Sequence, residues 1–213
     1  DGRLEVGLVP GIMASYFEPF GLDYNFRKSP TLEYPDYLLA AYGEKQPFSF
    51  IGENHKTESA LLSVQPIQKP HPPLWMMSRD PETLEFLAAK GVNTGNFLVF
   101  PRDVAAPRYR KYLEDWDKAG WDYKPNIAYS TVVYVDETDQ KALDTALLRA
   151  SRAYEGILPS PAETFKNRVA EFSEKFKARG EDAAAKIMTN LFNPDYLLEN
   201  DLVFIGSPKT VTA

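Results

Sequence analysis

Trp75-Met76-Met77-Ser78-Arg79-Asp80-Pro81-Glu82-Thr83 decides the fold. Leu74 to Met77 is a short apolar run of the kind that forms a buried strand, and Asp80-Pro81 is an N-cap followed by proline at the first helical position. Leu84, Phe86 and Leu87 continue the helix until Gly91 stops it. A strand therefore passes into a helix through the short turn from Ser78 to Asp80. The first turn of such a helix has unpaired N–H groups, and with the Thr83 hydroxyl and the Arg79 guanidinium they outline an anion site. Asp80 works against an anion by its charge. The same residues also read as a plain capped helix with Thr83 and Arg79 at the surface.

Upstream, Pro66, Pro70, Pro72 and Pro73 disfavour helix and deliver the chain extended into the Leu74 strand. Arg3 to Val9 is a mostly buried strand ending in the turn Pro10-Gly11, where a residue without Cβ lets the backbone approach a flat ligand closely. Residues 12–30 look irregular. Ser29-Pro30 predicts a helix running to Gly43 on Leu32, Leu38, Leu39 and Tyr42, with Pro35 delaying its true start. Phe48-Ser49-Phe50-Ile51 and Leu61-Leu62-Ser63-Val64 predict a small hairpin or an extended excursion at about 46–73.

Downstream, strand and helix alternate. Asn93 to Phe100 is the next strand, and Tyr109, Tyr112, Leu113 and Trp116 recur at helical spacing. Ile127 to Val135 is a further strand, followed by a helix from Asp139 to Arg152. Ser160-Pro161-Ala162-Glu163 is a capping box that opens a helix with Phe165, Val169, Phe172 and Phe176 on one stripe. That helix and a second, from Asp182 to Leu191, suggest a helical insertion at about 155–200 before the apolar Leu202 to Gly206 and the helix start Ser207-Pro208.

This order is that of an α/β domain with a parallel sheet. About four core strands can be counted, whereas a closed (β/α)₈ barrel takes eight and about 250 residues. The chain begins on a strand and ends as a helix begins, so flanking sequence is expected.

The chain's 213 residues, 44% hydrophobic and 25% charged, can bury one sizeable core, which predicts a single domain over 1–213. A net charge of −6 leaves no basic excess for a nucleic acid, and the absence of cysteine removes disulfides and zinc–thiolate sites. Apolar runs such as Leu74 to Met77 are far shorter than the roughly 20 residues that span a bilayer, so no membrane partner is expected and a cytoplasmic location fits. His71 sits in a proline run and His55 in a loop, neither with a second ligand at metal-binding spacing, so no metal site is expected.

Several blocks in one order carry a resemblance: Gly2-Arg3-Leu4-Glu5-Val6-Gly7-Leu8-Val9-Pro10-Gly11, Phe17-Glu18-Pro19-Phe20-Gly21, Pro47-Phe48-Ser49-Phe50-Ile51-Gly52, and Pro66 to Trp75 with Pro81-Glu82-Thr83. Val132 to Thr138 and Ile205 to Val211 add two more. The sequence so composed resembles the bacterial luciferase-like flavin monooxygenases. The resemblance implies a luciferase-like TIM barrel, here with the first strands and the last strand missing from this sequence. It implies reduced FMN (FMNH₂) bound at the carboxyl ends of the strands, O₂ activated there, a small apolar organic substrate oxygenated, and FMNH₂ supplied by a separate flavin reductase.

Residue by residue, it places Val9, Pro10 and Gly11 beside the flavin ring and Met77 under it, with Ser78, Arg79, Asp80 and Thr83 at the phosphate. Many relatives have arginine where Pro10 stands, and small hydroxyl residues where Arg79 and Asp80 stand. The histidine that relatives use near the flavin falls outside this stretch, so no catalytic acid or base is assigned. Met76, Phe97 and Phe100 are candidates to line an apolar substrate pocket. Coenzyme F420 in an oxidoreductase without an oxygen step, and a non-catalytic flavin-binding barrel, are the alternatives. Apolar helices on a barrel exterior make a homodimer reasonable.

Overall fold

A computed structural model of the chain describes residues 2–11, 14–43, 45–97, 101–157 and 162–212. It divides into two compact units, residues 1–95 with 111–127, and residues 96–110 with 128–213. Among the described residues the strands pair two by two, and no closed barrel forms.

In the first unit, β1 (Val6–Leu8) lies parallel to β4 (Leu74–Met76), with Val6 opposite Leu74 and Leu8 opposite Met76. The Asn93 backbone flanks β4 on its other side: its N–H donates to the Leu74 carbonyl at 2.8 Å, and its own carbonyl accepts from the Met76 N–H at 2.9 Å. Strand β5 (Thr94–Phe97) continues from it and passes into the second unit at Asn96. Leu74 and Met76 are buried while Trp75 is half-buried, the alternation a strand with one inner face requires. Helix α2 (Pro81–Ala89) follows as the sequence predicts, with Asp80 as N-cap and Gly91 at φ +68° past its end. Its Leu84, Leu87 and Ala88 are buried, as are Val92, Tyr112 and Trp116. The Tyr112 hydroxyl donates to the Val92 carbonyl and the Trp116 Nε1 to the Tyr123 carbonyl, both at 2.8 Å, so these large rings bury no unpaired polar tip. They belong to helix α3 (Arg102–Ala119).

Three expectations are corrected in this unit. Helix α1 (Lys28–Tyr42) begins before Pro30, caps on Arg27 without a side-chain bond, and runs through Pro35. Proline inside a helix costs about 3 kcal/mol, and packing on the neighbouring hairpin offsets it: the Tyr37 ring meets Phe48 and Phe50 edge-on at 5.7 and 5.4 Å. The hairpin itself joins β2 (Phe48–Ile51) to β3 (Lys56–Ala60), not to the apolar Leu61 to Val64. Its tight turn brings Lys56 opposite Ile51, and turn length fixes register. Leu61 and Val64 lie past the strand and are exposed. Residues 12–30 are not formless: the described part contains three short 3₁₀ turns, at Ala14–Tyr16, Glu18–Phe20 and Tyr24–Phe26.

In the second unit the predicted strand at 127–135 is interrupted. Thr131 stands between β6 (Ile127–Ser130) and β7 (Val132–Val135), and its hydroxyl donates to the Leu202 carbonyl at 3.0 Å. β7 pairs in parallel with β8 (Val203–Gly206) over its whole length. Helix α4 (Asp139–Ile157) presents Ala142, Ala146 and Ala150 to this pair. α5 (Ala162–Ala178), α6 (Asp182–Thr189) and α7 (Pro194–Glu199) close the core with Val169, Ile187 and Leu197. The short α7, capped by Asn193, lies between the segments expected from sequence. Ser207 caps α8 (Pro208–Val211) as expected, while residues 158–161, with the Ser160-Pro161 half of the capping box, lie outside the described residues. No described helix is long and apolar enough to cross a membrane.

Candidate functional site

Parallel pairing of β1 with β4 puts the carboxyl ends of the two strands side by side, so the Val9-Pro10-Gly11 turn and the Met77-Ser78-Arg79-Asp80 turn leave the sheet at one edge. The strand that leads into the first turn is open. A Cβ on Gly7 would meet nothing within 4 Å, and the Val9 side chain is exposed. Gly11 has φ +75°, and a Cβ there would approach the Phe17 ring to 2.9 Å, so glycine is required at this turn on both conformational and steric grounds. The Gly11 carbonyl accepts from Arg27 Nε at 3.1 Å, and the Arg27 guanidinium lies 3.6 Å from the centre of the Tyr24 ring. Arg27 thus brings a guanidinium to this turn from sixteen residues downstream. Local sequence gave no sign of this.

At the second turn Asp80 dominates. Its Oδ2 accepts from the Thr83 N–H at 3.1 Å, the Thr83 hydroxyl at 2.6 Å and Lys28 Nζ at 2.8 Å. Its own N–H donates to Ser78 Oγ at 3.2 Å. Burial pushes the Asp80 carboxyl upward, but the bonds from Lys28 and Thr83 outweigh it and hold the group below the usual carboxylate range. Thr83 is buried, so its hydroxyl works beneath the turn rather than at the surface. Lys28 was not singled out from sequence; only the fold brings it to Asp80 from 52 residues away.

The remaining candidates are placed as follows. Met77, Ser78 and Arg79 are half-buried at the end of β4. Met76 is 1% exposed, and its carbonyl accepts the Thr94 hydroxyl at 2.9 Å. The Phe97 side chain and all of Phe100 lie outside the described residues.

One observation bears on whether a flavin fits these residues. A Cβ on Gly7, within β1, would meet nothing within 4 Å, so the backbone there is open to a ligand. The phosphate turn fits on one condition, that Asp80 yields Thr83 and Lys28 to the incoming anion.

The sequence model of the family described as luciferase-like monooxygenase matches residues 1–213. The chain is 24% identical over 148 residues to the oxygenase component of the flavin-dependent trigonelline monooxygenase of Acinetobacter baylyi, which covers 67% of this chain and 40% of that protein. Monooxygenase RslO1 from Streptomyces bottropensis superposes with a TM-score of 0.70 at 17% identity, over 99% of this chain and 56% of that one. The coenzyme F420 dependent tetrahydromethanopterin reductase from Methanopyrus kandleri gives a TM-score of 0.63 at 19% identity, over 99% and 63%. These two likenesses establish the fold alone. In each case the chain spans less than two thirds of its relative.

Proposed function

Because the chain belongs to the luciferase-like monooxygenase family, we propose that it carries the flavin-binding strand ends of an FMNH₂-dependent monooxygenase that oxygenates a small apolar organic substrate. The observation that carries this reading is the parallel β1–β4 pair, which sets a glycine turn beside a strand-to-helix turn at one sheet edge. Val9, Pro10 and Gly11 would lie along the ring, with Arg27 as the nearby cation. Met77 would lie beneath it, and Ser78, Arg79 and Thr83 would take the phosphate while Asp80 turns aside. Bound there, reduced FMN supplies the dioxygen chemistry. The protein's own contribution is to orient the ring and exclude water, and the buried Met76, Leu74 and Thr94 give the strand ends a dry floor.

As its relative in Acinetobacter is an oxygenase component, a separate flavin reductase is the partner proposed here. The fold is shared with an F420-dependent reductase, which makes F420 the second reading. Anaerobic titration with reduced FMN, reduced riboflavin and reduced F420, followed by intrinsic tryptophan fluorescence, distinguishes them. Reduced FMN is expected to bind at least about tenfold more tightly than riboflavin, the contribution of one charge-assisted phosphate contact. Binding of F420 without FMN would replace the first reading by the second, and binding of neither would overturn both.

A further inference from the structure

A cavity of about 670 Å³ lies in the second unit, between the first turns of α3 and the helices α6 and α7. Its size is that of a small-molecule site, roughly 300–1,000 Å³, and none of the strand-end residues considered above lines it. Small side chains form part of its floor, beside the buried Ile187. Ala106 of α3 and Ala183 of α6 leave room where longer residues would fill the space. Behind the cavity the two helices are fixed together: Ala105 and Ala184 are buried against each other with Tyr109 and Phe176, and Arg108 pairs with Glu181 at 3.1 Å. The groove therefore lies beside the point where α3 and α6 touch.

Three cations converge on it. Lys28, Lys90, Lys118, Lys141, Lys175 and Lys177 each have a carboxylate within 3.1 Å. Arg102, Arg110 and Lys186 line the cavity, and among the described residues none of the three forms an ion pair. Arg102 and Arg110 lie on one face of α3 with Ala106 midway, so their guanidinium groups flank the floor. Lys186 faces them from α6 with its Nζ 5.8 Å from the centre of the Tyr196 ring. Asp103 and Asp201 also reach the rim, which leaves it positive by one charge. Burial, and then the charge of Asp103, push the Tyr196 hydroxyl above its usual pKa and keep it a donor.

From this convergence of unpaired cations on a small-residue floor we infer that the cavity is a binding site for a small organic anion, one with a phosphate or carboxylate head and a flat apolar body. Arg102, Arg110 and Lys186 hold the head, with the Tyr196 hydroxyl as a further donor. The body rests on Ala106 and Ala183 beside the Tyr196 ring. The site is separate from the flavin reading and does not depend on it.

Calorimetric titration of the protein with phenyl phosphate, benzoate and the neutral phenol tests this. The two anions are expected to bind and phenol is not, and binding should weaken in high salt because the cations are exposed. Arg110→Ala and Lys186→Ala are surface changes that leave the fold intact, and each is expected to lower affinity by about tenfold, the loss of one charge-assisted bond. Ala183→Leu fills the floor and is expected to abolish binding while circular dichroism stays unchanged. Anions that give no heat at millimolar concentration, phenol binding as well as they do, or variants that bind like the parent would each overturn the site. Binding of only one anion supports it and fixes the head group.

Discussion

Asp80 is pulled in two directions at the head of α2. As N-cap it satisfies the Thr83 N–H and hydroxyl and draws in Lys28, bonds a helix start needs. As a charge it occupies the place where a flavin phosphate would meet the same donors. Asp80→Asn separates the two roles, since asparagine caps as well as aspartate and carries no charge. Stability is expected to change by only a few tenths of a kcal/mol, the Lys28 pair being exposed and worth little. Affinity for FMN is expected to rise severalfold, on the order of 1 kcal/mol for a partly screened like charge, with riboflavin unaffected. Equal changes for FMN and riboflavin in a fluorescence titration would remove the turn from any phosphate role.

The hairpin shows how an element is placed by one side chain. The Glu33 carboxylate of α1 accepts the backbone N–H groups of Glu53, Asn54 and His55 at 2.6 to 3.0 Å, and the His55 ring Nδ1 lies 2.9 Å away. Burial raises the Glu33 pKa, but these bonds together lower it from 4.5 to about 2. A depressed carboxylate contributes stability above its unfolded pKa and loses it as pH falls through the folded one. The hairpin is thus expected to stay docked on α1 at neutral pH and to come free as pH drops from 4.5 towards about 2. Hydrogen exchange of the β2 and β3 amides across that range reads it, and Glu33→Gln should remove the dependence. A hairpin equally protected at both ends of the range would show that ring packing by Tyr37, not Glu33, holds it.

Across the whole molecule, the second unit rests on a core in which Leu197, Leu202 and Val203 are almost fully buried beneath α4. Leu197→Ala removes a wholly buried side chain and is expected to cost about 2–5 kcal/mol, read as lost exchange protection of the β7 and β8 amides. Loss under about 1 kcal/mol would mean that α7 does not seal this core. The sequence predicted β4 and α2 near their true places, because short apolar runs bounded by proline and glycine are local signals, whereas the strand expected to be mostly buried from Arg3 to Val9 is only Val6–Leu8, with Leu4 and Val9 exposed, and Leu202 to Gly206 reads only as an apolar segment. It misplaced the second hairpin strand because Lys56-Thr57-Glu58-Ser59-Ala60 lacks the apolar pattern of a strand, and that pairing depends on a turn held by Glu33.

The two turns at the sheet edge divide along the same line. Sequence alone determined that Asp80-Pro81 would start a helix straight from a strand and that Gly11 would end another, since capping and positive φ are decided within a few residues. Only the tertiary structure decided that these turns lie side by side, that Lys28 and Arg27 supply the cations there, and that Arg102, Arg110 and Lys186 surround one cavity. Those partners are far apart in the chain. Their meeting is a property of strand pairing and helix packing, which no local pattern of residues encodes.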